Sequence, residues 1–237
     1  MLLFFPQGKI SQVTPEKAQE ALIESFKQWG IPKSIRIDNG KPLAEPHRKS
    51  ISEIALWLEG LGITVIFNRP RRPTDNAKVE RIQQTSANWI EIDKIVDIKH
   101  LKKALSIVSN RHLNTYKVRR LGNRTRADVF PNIHKNDRKY KAVIFNPTLA
   151  YRRLEKWIFS RKTSSIGQFS IYGQVYYLGK NYPKQIVTLK FDSENIQWIV
   201  KDDKGNFIKN IPAKNFTKEN LLNLSICQKT NTSKSKK

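Results

Sequence analysis

The carboxylate of Asp38 follows directly on a short stretch, residues 34–37, whose pattern predicts a β-strand. Ile35 and Ile37 alternate with polar residues and therefore share one face of that strand, and Asn39-Gly40 favours a tight turn after it. The end of a strand is a common place for chemistry in α/β proteins. Taken alone, Asp38 is better explained as the cap of a turn.

A second carboxylate, Glu80, falls near the start of a helix predicted over residues 76–89. The loop before this helix is basic and contains prolines, and Asp75 and Asn76 are typical of residues that cap a helix start. Four cations lie on the loop and the helix around Glu80: Arg71, Arg72, Lys78 and Arg81. They are explained either as solvated surface charges or as contacts to phosphates beside a metal. Two carboxylates among cations predict a metal-dependent phosphate site.

The charge of the chain predicts a polyanionic partner. The 237 residues include 44 Lys and Arg against 20 Asp and Glu, a net charge of +24, and residues 99–162 alone have 18 against 3, a net +15. Helices near this stretch do not combine a basic face with inserted Trp, Phe or Leu, which favours nucleic acid over a membrane surface. Within the stretch, DNA contacts are predicted for Lys117, Arg119, Arg120, Arg124 and Arg126.

The elements that must position these residues follow from hydrophobic periodicity. Strands at 34–37 and 63–67 alternate with helices at 15–29, 51–61 and 76–89, a further helix is predicted at 97–113, and residues 2–5 and 9–13 predict an earlier strand or a strand and its return. Five short alternating segments then predict a small antiparallel β-barrel: 168–172, 174–178, 186–191, 196–201 and 206–211. The predicted fold class is therefore α/β, followed by a small barrel.

Several other classes of site are excluded or disfavoured by composition. Cys227 is the only cysteine, which excludes a disulfide framework and a multi-cysteine zinc site. The histidines lack metal-ligand spacing and are predicted to be neutral, either on the surface or partly buried: His47, His100, His112 and His134. Four tryptophans lie at apolar positions and are predicted to be core residues: Trp29, Trp57, Trp89 and Trp198. No stretch reaches transmembrane length and the apolar opening is too short for a signal peptide, so we expect a cytoplasmic protein.

Three motifs together resemble a known family. Ile37-Asp38-Asn39-Gly40 and Leu61-Gly62-Ile63 are followed by Arg72-Pro73-Thr74-Asp75-Asn76-Ala77-Lys78-Val79-Glu80-Arg81, with 42 positions from Asp38 to Glu80. In order and spacing they look like the second Asp and the Glu segments of DDE-type transposases and integrases, which have an RNase H-like core. Residues 166–212 resemble the small β-barrel that follows this core in many insertion-sequence transposases.

The resemblance implies a domain order and a metal. Residues 1–130 are expected to be an incomplete RNase H-like core, 131–165 a basic linker, 166–216 an SH3-like β-barrel and 217–237 a disordered basic tail. In the family two Asp and one Glu hold Mg²⁺ or Mn²⁺, and Asp38 and Glu80 match the second Asp and the Glu. The family's first Asp has no counterpart here, so we expect the chain to be truncated at its N-terminal end and inactive alone.

The resemblance also implies partners, and it leaves two other functions open. The expected partners are transposon-end and target DNA, together with a second copy of the chain or a full-length transposase. A different reading is a non-catalytic DNA-binding protein that inhibits a full-length transposase. A general RNA-binding protein is disfavoured because the sequence contains no RRM or KH signature.

Overall fold

The computed structural model describes residues 13–38, 40, 43, 50–69, 71–132 and 136–228, and it combines helices with parallel and antiparallel strands. These residues form two compact units: a first unit of residues 21–32 and 68–140, and a second unit of residues 13–20, 33–67 and 141–228. The units interleave along the sequence, so they do not test the linear boundaries predicted at 130, 165 and 216. Apart from Val13, the strand predicted from residues 2–13 lies outside the described residues, as does the end of the tail, 229–237.

The secondary structure predicted between residues 15 and 113 is confirmed, with small shifts at the ends of elements. The helices are α1 (Pro15–Trp29), α2 (Glu53–Gly60), α3 (Ala77–Trp89), α4 (Ile98–Asn110), α5 (Arg126–Val129), α6 (Pro147–Glu155) and α7 (Lys218–Leu222). The strands are β1 (Ser34–Ile37), β2 (Thr64–Phe67), β3 (Ile158–Lys162), β4 (Gln168–Ile171), β5 (Gln174–Tyr177), β6 (Ile186–Asp192), β7 (Gln197–Lys201) and β8 (Phe207–Pro212). Over the described ranges, none of the helices has the length and apolar character needed to cross a membrane.

Helix α2 is buried on every side within the second unit. Ile54, Ala55, Leu56, Trp57 and Leu58 are each 0% exposed. Five consecutive buried residues leave the helix no solvent face, so it needs partners all round. Strand β2 and helices α6 and α7 are among the elements that contact it.

The parallel pair β1–β2 is tied to this helix and to α6 by a polar cluster. Ile37 pairs with Phe67 at the C-terminal ends of the two strands. The Glu59 carboxylate accepts the Val65 N–H at 3.1 Å and pairs with the Arg153 Nε at 3.4 Å. Arg153 also donates to the Val65 carbonyl oxygen at 3.3 Å. One carboxylate and one guanidinium therefore hold the end of α2, strand β2 and helix α6 in a fixed arrangement.

The strands predicted beyond residue 166 are confirmed, but they do not close into a barrel within residues 136–228. They form a four-stranded antiparallel sheet in the order β3-β6-β7-β8 and a separate hairpin, β4–β5. The reason is that β3, which lies in the predicted linker, pairs with β6, while β4 and β5 pair only with each other. The buried faces carry an aromatic core of Phe159, Tyr172, Phe191, Trp198 and Phe216.

Two segments predicted to lack regular structure are ordered. Residues 147–162, in the predicted linker, form α6 and β3, and Leu154 and Phe159 are both 0% exposed. Residues 218–222, in the predicted tail, form α7, and Ile226 after it is 0% exposed. Both segments are short and rich in polar residues, so their periodicity is weak; they are stabilised by apolar contacts with residues distant in sequence.

Gly60 provides a test of the packing at the end of α2. A Cβ atom at this position would overlap the ring of Phe145, which is only 2% exposed. Helix propensity alone predicts that Gly60→Ala stabilises the protein by up to about 1 kcal/mol. We expect the opposite, a loss of about 1–3 kcal/mol, because the buried ring cannot move away freely.

Chemical denaturation of Gly60→Ala, Phe145→Leu and the double variant would measure this effect. Leu lacks the outer ring atoms, so the double variant should be more stable than the sum of the single losses predicts. Strict additivity, or a stabilised Gly60→Ala variant, would contradict this account of the packing.

Candidate functional site

Asp38 lies where the sequence predicts it, directly after Ile37 at the C-terminal end of the parallel pair β1–β2. Its side chain is exposed. The Gly40 N–H donates to Asp38 Oδ1 at 3.0 Å, so the carboxylate does cap the turn. This bond uses one of the two carboxylate oxygens. Asp38 lies at the C-terminal edge of the parallel strands in the second unit.

Glu80 lies in the first turn of α3, and its side chain is also exposed. The loop before this helix is closed by a two-point ion pair: Arg69 Nη2 lies 2.7 Å from Asp75 Oδ1, and Arg69 Nε lies 3.1 Å from Asp75 Oδ2. This contact raises the pKa of Arg69. Asn76 is the N-cap residue of α3, but its side chain makes no cap hydrogen bond, and the Asp75 carboxylate binds Arg69.

The predicted sharing of a divalent cation by Asp38 and Glu80 stays a prediction. Asp38 belongs to the second unit and Glu80 to the first. Across the residues that the structure describes, no group of three or more His, Cys, Asp and Glu side chains is arranged to hold a metal ion. Both residues nevertheless supply carboxylate oxygens, which are the ligands that Mg²⁺ and Mn²⁺ prefer.

The cations around Glu80 are presented to solvent on a closed loop and a helix. Arg71 has a left-handed backbone conformation with φ of 56°, in the loop that the Arg69–Asp75 pair closes. All four predicted DNA-binding side chains in this part of the first unit are exposed: Arg71, Arg72, Lys78 and Arg81. Because the loop is closed by its own ion pair, these charges project from an ordered backbone.

A second set of cations lies on a compact turn, residues 117–126, which we call the basic hairpin. The Val118 N–H donates to the Arg124 carbonyl oxygen at 3.0 Å, and the Asn123 N–H donates to the Val118 carbonyl oxygen at 3.1 Å. Gly122 and Asn123 both have positive φ, which lets the chain reverse in so few residues. Four predicted DNA-binding side chains are exposed on the basic hairpin: Lys117, Arg119, Arg120 and Arg124.

Arg126, the fifth predicted cation of this set, differs from the others. Its side chain is only partly exposed, and its Nη1 donates to the His112 carbonyl oxygen at 2.8 Å. Its guanidinium carbon lies 5.9 Å from the centroid of the Tyr116 ring. Arg126 thus anchors the basic hairpin to the preceding helical segment. Thr125 before it and Asp128 after it form a capping box, and these hydrogen bonds lower the pKa of Asp128.

The segment before the hairpin forms a cluster that sequence reasoning missed. Residues Arg111–Thr115 form a π-helical turn at the end of α4. His112 is 7% exposed, and its Nε2 lies 3.0 Å from Ser86 Oγ. Its ring centroid lies 4.4 Å from that of Trp89, and the Tyr116 ring lies 5.3 Å from the Trp89 ring.

His112 is held in its neutral form. The Ser86 hydroxyl donates its hydrogen to the Ile82 carbonyl oxygen at 2.7 Å, so its oxygen accepts a hydrogen bond from His112 Nε2–H. Nδ1 then carries no proton, is buried and receives no hydrogen bond from the described part of the chain. Burial first, and then the positive charges of Arg126 and Arg111, lower the pKa of His112. His112 is thus more deeply buried than the sequence predicts, and its lowered pKa favours the neutral form that was predicted.

Trp89 is not the core residue that the sequence predicts. Its side chain is only partly buried, and the guanidinium carbon of Arg111 lies 4.2 Å from its ring centroid. The signal available in sequence was the position of Trp89 in the last turn of α3, but the residues that meet it lie more than one helix further along the chain.

A comparison with known protein families finds no family model that matches this chain.

The lowered pKa of His112 predicts a loss of stability in mild acid. Below the ordinary value of 6.5, the unfolded chain takes up a proton that folded His112 does not accept. Stability from this residue is therefore complete above about pH 6.5 and falls as the pH drops towards the lowered pKa. We expect His112→Gln to lose that part of the pH dependence in urea denaturation between about pH 7.5 and pH 5.5.

The exposed His100 on α4 supplies the matched control. His100→Gln should retain the acid dependence of the unmodified protein. If His112→Gln and the unmodified protein lose stability in parallel over this range, the neutral buried state of His112 is refuted.

Proposed function

We propose that this chain is a DNA-binding protein of the DDE transposase and integrase type, acting in DNA recombination. The observation that carries the proposal is the charge of residues 111–126, which contain six Lys and Arg and no Asp or Glu. Five of those six side chains are exposed. The DNA backbone is the polyanion that such a dense, ordered cationic surface fits best.

The same unit supports the proposal with a second group of exposed cations, on the loop and helix that carry Glu80. Contacts from such side chains to phosphates orient a protein on DNA without reading its sequence. In this proposal Asp38 and Glu80 are two ligands of Mg²⁺ or Mn²⁺, in an RNase H-like core followed by a small antiparallel β domain. Bound divalent cations would supply activation of the attacking oxygen and stabilisation of the leaving oxygen.

The proposed partners are transposon-end DNA and target DNA, with a second copy or a full-length transposase completing the catalytic site. A non-catalytic DNA-binding protein that inhibits a full-length transposase is the second candidate. The bond from Gly40 to Asp38 favours it, because that bond gives one oxygen of the carboxylate a structural role. The two candidates share the same DNA-binding surface and differ in whether the carboxylates serve chemistry.

Duplex DNA binding should depend steeply on salt. Each phosphate contact contributes about 0.9 to the slope of log affinity against log salt concentration. We expect the double change Arg119→Ala and Arg120→Ala to weaken binding and to reduce that slope by about two, measured by fluorescence anisotropy. No binding at low salt, or binding indifferent to salt, would refute the proposal.

The double change Lys204→Ala and Lys218→Ala provides the control for net charge. Both side chains are exposed in the second unit, away in sequence from the basic hairpin. This control removes the same number of positive charges and should leave the slope nearly unchanged. An equal effect of the two double variants would mean that overall charge, and not the basic hairpin, carries the binding.

The chain alone should not cut or join DNA. A site that lacks one of three carboxylate ligands positions its cations poorly, and each 1.36 kcal/mol lost in the transition state costs about tenfold in rate. The measurement is a cleavage and strand-transfer assay on terminal DNA with Mg²⁺ and with Mn²⁺. Metal-dependent activity that Glu80→Gln abolishes would show that a third ligand is present and would favour the catalytic candidate over the inhibitor.

A further inference from the structure

Three side chains of the first unit form a cationic and partly exposed cluster, which we call the stacking platform: Trp89, Arg111 and Tyr116. The Arg111 guanidinium lies over the Trp89 ring at 4.2 Å. The Tyr116 ring meets the Trp89 ring edge-on, with an interplanar angle of 65°, and Tyr116 is 42% exposed. No described carboxylate pairs with Arg111, whose side chain is also exposed.

Contacts of His112 hold the stacking platform in place. The His112 ring packs against Trp89 and is hydrogen-bonded to the Ser86 hydroxyl, while the His112 carbonyl oxygen accepts a hydrogen bond from the Arg126 guanidinium. The π-helical turn of residues 111–115 brings Arg111 and Tyr116 to the same tryptophan. π-helical turns are rare and are found frequently at functional sites. The surface is therefore a preformed one, and a ligand that binds it pays little for ordering these side chains.

The chemistry of this surface suits a nucleobase. Aromatic rings and guanidinium planes both stack on the faces of bases, and they tolerate any base because every base has a π-face. The basic hairpin begins at Lys117, directly after Tyr116, so cations for the phosphate backbone adjoin the stacking surface. Stacking side chains next to a cationic track are the combination that proteins use to bind single-stranded nucleic acid.

We infer that the stacking platform binds unpaired nucleotides of DNA, next to a duplex whose phosphates contact the basic hairpin. In a paired duplex the base faces are covered by their neighbours, so this surface adds affinity only where bases are unpaired. The inference rests on the proposed function and narrows it: the preferred ligand is duplex DNA that ends in a single-stranded tail.

The test compares full-length protein binding to a blunt duplex and to the same duplex with a single-stranded DNA tail, at fixed salt. We expect the tail to increase affinity about tenfold, in keeping with the stacking of one or two bases. Tyr116→Ala should remove most of that increase while leaving the blunt duplex affinity within about twofold. Tyr177→Ala is the control, since Tyr177 is 50% exposed on β5 in the second unit and should change neither affinity.

Two further variants keep the test decisive if Tyr116→Ala disturbs the fold. Tyr116→Phe retains the ring and should retain the tail preference. Arg111→Lys retains the charge but loses the planar group, so it should reduce the preference while preserving the salt dependence on blunt duplex.

The outcomes separate the inference from the proposed function. Equal affinity for tailed and blunt duplexes, or a tail preference unchanged in both Tyr116→Ala and Arg111→Lys, overturns the inference and leaves duplex binding intact. Tighter binding of an RNA tail than of a DNA tail overturns the choice of DNA. Failure to bind any of these ligands at low salt overturns the proposed function as well.

Discussion

The complete burial of α2 is the constraint on which the second unit depends. A helix with no solvent face cannot be stable until several other elements cover it, and here these come from well separated parts of the chain. The Tyr172 hydroxyl donates to the Ile51 carbonyl oxygen, and the Cys227 N–H donates to Glu53 Oε1, so residues more than 100 positions further along the chain bind the start of this helix. Its last turn binds strand β2 through Glu59. The sheet edge that carries Asp38 is therefore positioned by contacts formed far from it in sequence.

Among the residues that the structure describes, arginines have two different physical roles. The guanidinium groups of Arg69, Arg126 and Arg153 bind groups of their own unit: a carboxylate, a carbonyl oxygen, or both. Such contacts offset the cost of desolvating a charge and fix loops and helices in place. Most of the exposed cations of the basic hairpin and of the loop before α3 remain in water, where a phosphate can replace solvent, although Arg124 also donates its Nε–H to the Leu121 carbonyl oxygen at 3.3 Å. A count of positive charge cannot separate these groups, because the difference lies in what each guanidinium meets after folding.

The cluster around His112 links these two groups in the first unit. The neutral His112 imidazole packs against the Trp89 indole and the Tyr116 phenol ring. Arg111 lies over the Trp89 ring, and Arg126 donates to the His112 carbonyl oxygen. A charged imidazole in this position would be repelled by both cations, which is why burial and charge act on its pKa in the same direction. The neutral ring supports aromatic contacts beneath a strongly cationic surface. This arrangement combines exposed positive charge with packed aromatic rings, as the proposed contact with nucleic acid requires.

Local patterns in the sequence were sufficient for most of the secondary structure, and the charge of the chain is the basis for proposing a polyanionic partner. Alternation over residues 186–191 and the helical period of residues 15–29 reflect side chains that are neighbours within one element, and such signals survive without knowledge of the fold. The turn at Asp38 and the exposure of Arg71 and Arg119 were likewise predictable, because they depend on residue type and nearby sequence. Tertiary structure decided the rest: that β3 joins β6 and leaves the predicted barrel open, that Asp75 binds Arg69, and that Trp89 meets Arg111 and Tyr116. Each of these depends on which distant residues come together to cover apolar surface or neutralise charge, and short-range periodicity contains no information about that choice.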